Sequence, residues 1–216
     1  MFSFRYEAHL VPDLLHNIRP LVDGWVAFDD RSSSETFSNE PDRRRLLLDH
    51  ASRMGARWAL AVDPDERFEN GLAGAMASLT APQGQTAYAF CFREMFAPDA
   101  YRVDGIWGRK RQIRLFSLGE MPPYNMEIHS PWLPIGSPHQ VVGTDFNLYH
   151  LKMITPARRE ARRDLYKALD PERRYQMLGY DYLADDCGAI LAKIPEGRDY
   201  HPRHQEDGGL WMAPLR

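Results

Sequence analysis

The stretch Trp58-Ala-Leu-Ala-Val-Asp-Pro-Asp-Glu66 decides how the fold is read. Its first five residues are apolar and read as a short strand, which stops abruptly in acids. Towards the N-terminus, Trp25-Val-Ala-Phe28 is a second short apolar run with the same ending, Asp29-Asp30, before the polar loop Arg31-Ser-Ser-Ser34. Between the two runs, Asp42 to Met54 reads as a helix, with Leu46, Leu47 and Ala51 inward and Gly55 as its C-terminal stop. Phe2 to Phe4 reads as the first strand. Leu10, Leu14 and Ile18 then recur at helical spacing, with Pro12 in the first turn, where proline is tolerated. Strand, helix, strand, helix, strand predicts an α/β fold with a mostly parallel, Rossmann-like central sheet and helices on both faces.

Downstream, Leu72 to Leu79 reads as a helix, the alternating Tyr88, Phe90 and Phe92 as a strand, and Gln112 to Phe116 as another. Pro122, Pro123, Pro131, Pro134 and Pro138 predict loops and short strands. Thr155-Pro156 opens a helix on which Ala161, Leu165 and Leu169 share one face, and Asp170-Pro171 opens another that Gly179 ends. One domain is expected over residues 1–216, with 155–216 a C-terminal helical segment and an irregular tail.

The bulk composition narrows the function classes. The 216 residues are 44% hydrophobic and 26% charged, which is ordinary for a folded domain. A net charge of −3 gives no reason to expect nucleic acid as a partner. Cys91 and Cys187 alone make no disulfide framework and fit a reducing compartment. No apolar run approaches the roughly 20 residues of a membrane helix, and the segment with Arg5, Glu7 and His9 lacks a signal-peptide core. The expectation is a cytoplasmic protein without a transmembrane segment. Peripheral membrane contact through partners is compatible with it.

In a parallel sheet the C-terminal strand ends open onto one edge, and ligands bind in the crevice there. Asp29-Asp30 and Asp63-Pro64-Asp65 are thereby expected to line one crevice. Carboxylates gathered this closely need a positive charge between them. Hard oxygen ligands suit Mg²⁺ or Mn²⁺, which complete their shell with water and phosphate oxygens.

Phe4-Arg-Tyr-Glu-Ala-His-Leu10, Phe28-Asp-Asp-Arg-Ser-Ser33 and Trp58 to Glu66, in that order, resemble the opening motifs of family 2 glycosyltransferases. These are nucleotide-diphosphosugar transferases with the GT-A fold. Arg114-Leu-Phe116, Glu127-Ile-His129, and Tyr149-His150 ahead of a basic helix resemble a subset of that family. The resemblance implies an inverting transfer of a sugar from a nucleotide-sugar donor to a hydroxyl of a glycan or other acceptor, with Mn²⁺ or Mg²⁺. It implies Glu7 facing the nucleotide, Asp30 with Asp29 reading the base, Asp63 near ribose or metal, Asp65 as the metal ligand, and His129 near metal or diphosphate. Two positions depart from the pattern: Arg31 stands where a glycine is usual, and Ser130 where a glutamate is usual.

The reaction needs a carboxylate to take the acceptor proton. Glu127 shares strand parity with His129 and is the first choice for it, and Asp145 is the runner-up. Asp104, in the turn Asp104-Gly-Ile-Trp107, is placed over the acceptor, and Trp107, Tyr124 and Trp132 are candidates to stack on sugar rings. The arginine-rich segment Arg158 to Arg174 interleaves acids and bases and reads as a solvated, ion-paired helix face. His201 and His204 lack a third ligand for a metal. Two alternatives stand beside the transferase. A catalytically inactive sugar- or nucleotide-binding protein is favoured by Arg31 and Ser130 and opposed by Asp63 and Asp65. A sugar nucleotidyltransferase would need a glycine-rich loop that Phe4 to Glu7 lacks.

Overall fold

The structure is a computed structural model that describes residues 1–33, 39–124 and 131–204. Strands β1 (Phe2–Phe4) and β2 (Ala27–Asp29) pair in parallel, Phe2 opposite Ala27 and Phe4 opposite Asp29. Strand β3 (Trp58–Leu60) continues the same direction. The Met1 nitrogen donates to the Leu60 carbonyl at 2.7 Å, and the Val62 N–H donates to the Met1 carbonyl at 3.1 Å, the alternation of a parallel ladder. The first three strand ends therefore do open towards one edge. Helix α1 (Val11–Ile18) follows β1, and α2 (Glu40–Arg53) lies between β2 and β3, closed by Gly55 at a φ of 77°.

The rest of the sheet overturns the parallel, Rossmann-like expectation. The main sheet has seven strands: β3, β4 (Glu66–Phe68), β5 (Thr86–Ala97), β6 (Ala100–Arg102), β7 (Arg111–Ser117), β8 (Gln140–His150) and β9 (Leu191–Lys193). Pairs β3/β7, β7/β5, β5/β6, β6/β9 and β4/β8 are antiparallel, and only β5/β8 is parallel. The cause is the connections. After α3 (Leu72–Leu79), no α-helix interrupts the described chain until α4 (Pro156–Leu169). Strands β5, β6 and β7 are joined by short links, which return the chain antiparallel, whereas a parallel neighbour needs a long crossover.

Two of the apolar clusters pack α1, α3 and α2 against the sheet. Leu14 and Ile18 of α1 and Leu72 of α3 meet Leu60, Phe68, Tyr88, Phe90, Leu115 and Leu148. Leu47 and Leu48 of α2 meet Ala59, Ala61, Ala87, Phe116, Trp132 and Leu133. The helix expected from Asp170 to Gly179 does not form. The Asp170 carboxylate instead accepts from the N–H groups of Arg174 and Tyr175 and from the Tyr180 hydroxyl, and it holds the segment in turns. Among the described residues no helix is long and apolar enough to cross a membrane.

Helix α4 begins as expected: the Thr155 hydroxyl accepts from the Arg158 N–H at 3.2 Å, with Pro156 at the first helical position. Thr155→Ala should lower the unfolding free energy by about 1 kcal/mol, read from urea denaturation, while the conservative Thr155→Ser should stay close to the parent.

Candidate functional site

The strand ends and α4 enclose a cleft of about 970 Å³. Glu7 follows β1. Asp63 and Asp65 come from the link between β3 and β4, Glu66 from the start of β4, Arg114 from β7, Glu94 from β5 and His150 from the end of β8. The register brings three of these together, because His150 is the ladder partner of Glu66 on β4 and of Glu94 on β5. Helix α4 then crosses the strand ends.

The floor of the cleft is a chain of alternating charges. Lys110 Nζ lies 3.5 Å from Glu94, and the other Glu94 oxygen is 2.6 Å from His150 Nδ1. His150 Nε2 faces Asp65 at 3.4 Å, and the same Asp65 oxygen meets Arg162 at 3.3 Å. Arg162 and Arg158 both close on Glu7. Beside this chain, Arg114 makes a two-pronged contact to Glu66, at 2.8 and 2.6 Å, and reaches Asp63 at 3.4 Å.

Burial works against every charged form here, and the partners outweigh it at most positions. Burial would lower the His150 imidazole, but Glu94 and Asp65 raise its pKa to about 10. Burial pushes Asp65 up, and His150 with Arg162 hold it well below the usual carboxylate range. Glu94 is held low in the same way by His150 and Lys110. Glu66 is the exception: desolvation wins over Arg114 and its pKa is raised.

One wall of the cleft is aromatic. Trp107 sits under the Lys110 ammonium, 4.0 Å from the ring centre, with Tyr182 6.0 Å away. Tyr166 and Tyr180 stack at 5.3 Å, and Lys152 Nζ donates to the Tyr166 hydroxyl at 3.3 Å. Lys152 lowers the Tyr166 pKa.

Of the residues expected from sequence, Glu7, Asp63, Asp65, Trp107 and Trp132 line this cleft. Trp132 does so with little of its surface, since it is 2% exposed, packs in the α2 core and carries the Arg44 guanidinium 4.2 Å over its ring. Asp30 stands one step back, paired with the lining residue Arg43 at 2.9 Å. Asp29 is exposed, paired with Arg31 at 2.6 Å, and outside the lining. Arg31, at the place where a glycine is usual, thus folds back onto the neighbouring acid. Asp104 is outside the lining too: its carboxylate accepts from Arg102 Nε at 2.7 Å and from the Ile190 N–H. Asp145 is exposed on β8 and does not line the cleft. Glu127 and His129 lie outside the described residues.

The arginine-rich helix face corrects the expectation of a solvated one. Arg158 is 0% exposed, Arg159 4% and Arg162 9%. Their partners come from other parts of the chain: Glu7, Asp65, the Met153 carbonyl and Asp186. A signal was present in the sequence. The stripe Leu165 and Leu169, continued backwards at helical spacing, lands on Arg162 and Arg158.

A divalent cation fits the described donors poorly. Asp65 already meets two positive groups and Asp63 meets a third, so a metal between them would sit among His150, Arg162 and Arg114. Among the described residues no three His, Cys, Asp or Glu side chains are grouped so as to hold a metal. No protein-family model matches the chain, and a search of curated proteins returns no significant match.

The raised His150 pKa has a pH signature. His150 gains its partners on folding, so its contribution to stability is fully present below the unfolded pKa near 6.5 and is lost as pH rises through about 10. Melting temperatures of the parent and of His150→Gln, measured from pH 6 to 10.5, should differ most at the acid end and converge towards the alkaline end. A constant difference across that range would show that His150 is neutral in the folded protein.

Proposed function

We propose that the chain is a glycosyltransferase that moves a sugar from a nucleotide-diphosphosugar to an acceptor hydroxyl. The observation that carries this reading is the composition of the cleft of about 970 Å³, where charged side chains lie beside Trp107, Tyr166, Tyr180 and Tyr182. The volume suits a donor with part of an acceptor. The cations suit a diphosphate, and the aromatic faces suit the C–H surfaces of sugar rings. The resemblance of the Glu7, Asp30 and Asp63-Pro-Asp65 motifs to family 2 glycosyltransferases agrees with it.

The chemistry is a displacement. The acceptor oxygen forms a bond to the anomeric carbon, the bond from that carbon to the diphosphate oxygen breaks, and the nucleoside diphosphate leaves with the electron pair. A carboxylate takes the acceptor proton. The cleft contributes by holding the two reactants in line. Glu127 remains our proposed base.

A second reading, a binding protein without transfer activity, has one observation in its favour. Glu7, Asp63, Asp65, Glu66 and Glu94 each face a cation, so none of them is placed as an unengaged base. A screen of nucleotide sugars for nucleoside diphosphate release, with sugar and glycan acceptors, separates the two. Transfer is expected. Glu127→Gln should lower turnover by roughly 10²-fold with donor affinity nearly unchanged. Donor binding with no transfer to any acceptor would favour the binding protein, and a failure of every nucleotide sugar to bind would remove both readings.

A further inference from the structure

Along the central chain of the cleft, Lys110, Lys152 and Arg162 stand against Glu94, Asp65 and Glu7, and His150 lies between two of these acids. Arg114 is taken up by Glu66 and Asp63. The two amines, Lys110 and Lys152, lie at the aromatic end. Lys152 Nζ makes a hydrogen bond to the Tyr166 hydroxyl, at 3.3 Å, and an ammonium has three donors. Lys110 reaches Glu94 only at 3.5 Å and otherwise rests on the face of Trp107. Both amines line the cleft. The carboxylates a metal would use point the other way in this balance, since Asp65 lies between His150 and Arg162.

We propose that the diphosphate of the donor is neutralised by resident cations, chiefly Lys110, Lys152 and Arg162, and that nucleotide binding needs no divalent metal. This rests on the reading of the cleft as a nucleotide-diphosphosugar site. An ammonium with open donors gains a charge-assisted bond when a phosphate oxygen arrives. A divalent ion at Asp63 and Asp65 would instead have to displace Arg162 and His150, leaving buried positive charge uncompensated. The role of Asp65 is then to position Arg162 and His150.

The test is calorimetric titration of UDP, GDP and inorganic pyrophosphate into the full chain, with EDTA or with Mn²⁺. At least one nucleoside diphosphate should bind in EDTA with a Kd within about threefold of its value in Mn²⁺, and pyrophosphate should compete with it. Lys152→Met should weaken binding in EDTA by roughly tenfold or more, and Lys110→Met, on a separate segment, should do the same if Lys152→Met folds poorly. Asp65→Asn loses a positioning contact, so its affinity should fall, but the affinity it keeps should be the same in EDTA as in Mn²⁺. Binding that appears only with Mn²⁺ and disappears in Asp65→Asn would overturn the inference and leave the transferase reading standing. The absence of any nucleoside diphosphate binding, with or without metal, would sink the transferase reading itself.

Discussion

Glu7, closed between Arg158 and Arg162, is the contact on which the cleft depends. Taking a guanidinium out of water costs several kcal/mol, and the cost is met only where a counter-charge is held in place. Glu7 is held. It follows β1, whose ladder to β2 and whose Met1 bonds to β3 tie that end of the chain to the sheet. Helix α4 can lie across the strand ends because acids wait there for its inner face. The acids, in turn, tolerate one another's company because the helix brings arginines. Breaking one such buried pair typically costs about 3–5 kcal/mol, since the remaining partner is left as an uncompensated charge.

From Glu7 the alternation runs through Arg162, Asp65 and His150 to Glu94 and Lys110, so each side chain from Glu7 to Glu94 has two neighbours of opposite sign. That arrangement orients the groups, and it makes the cleft polar yet nearly balanced. A ligand entering it meets positioned charges that need little reorganisation. The Lys110 and Lys152 end, beside Trp107 and Tyr166, sets two ammonium groups against aromatic surface. Two recognition chemistries, charge and ring stacking, are therefore adjacent at one end of the cleft.

How much of this was legible follows from the range of the forces. The first three strands, α1, α2, α3 and α4 appear where their local periodicity and caps put them, with Gly55 and Thr155 as stop and start. Those signals lie within a few residues of each other. The direction of the sheet was not legible in the same way, because parallel order was inferred from the helix–strand alternation of the first 80 residues and extended over a region that lacks crossover helices. Strand β8 was missed outright. Its first half, with Val141, Val142 and Gly143, is exposed and shows no inward alternation, and only Leu148 and Tyr149 near its end are fully buried. The turn after Asp170 was missed because a side chain took the N–H groups that a helix would have used.

The site was half legible for a related reason. Acids at strand ends are conspicuous, since strands are apolar and the change of character is abrupt. Their partners are inconspicuous, because an arginine on a helix looks the same whether it faces water or Glu7. Counting charges along α4 treats its own acids as the partners, yet Arg158 and Arg162 find theirs more than 90 residues away. What distinguishes the two cases is the face, not the charge. Leu165 and Leu169 mark the side of α4 that turns inward, and Arg162 and Arg158 continue that side one and two turns earlier. An apolar stripe that runs into arginines describes a helix whose buried face passes from core to charged cleft. The same reasoning places Lys167 outside: it lies off the stripe and pairs at the surface with Asp181.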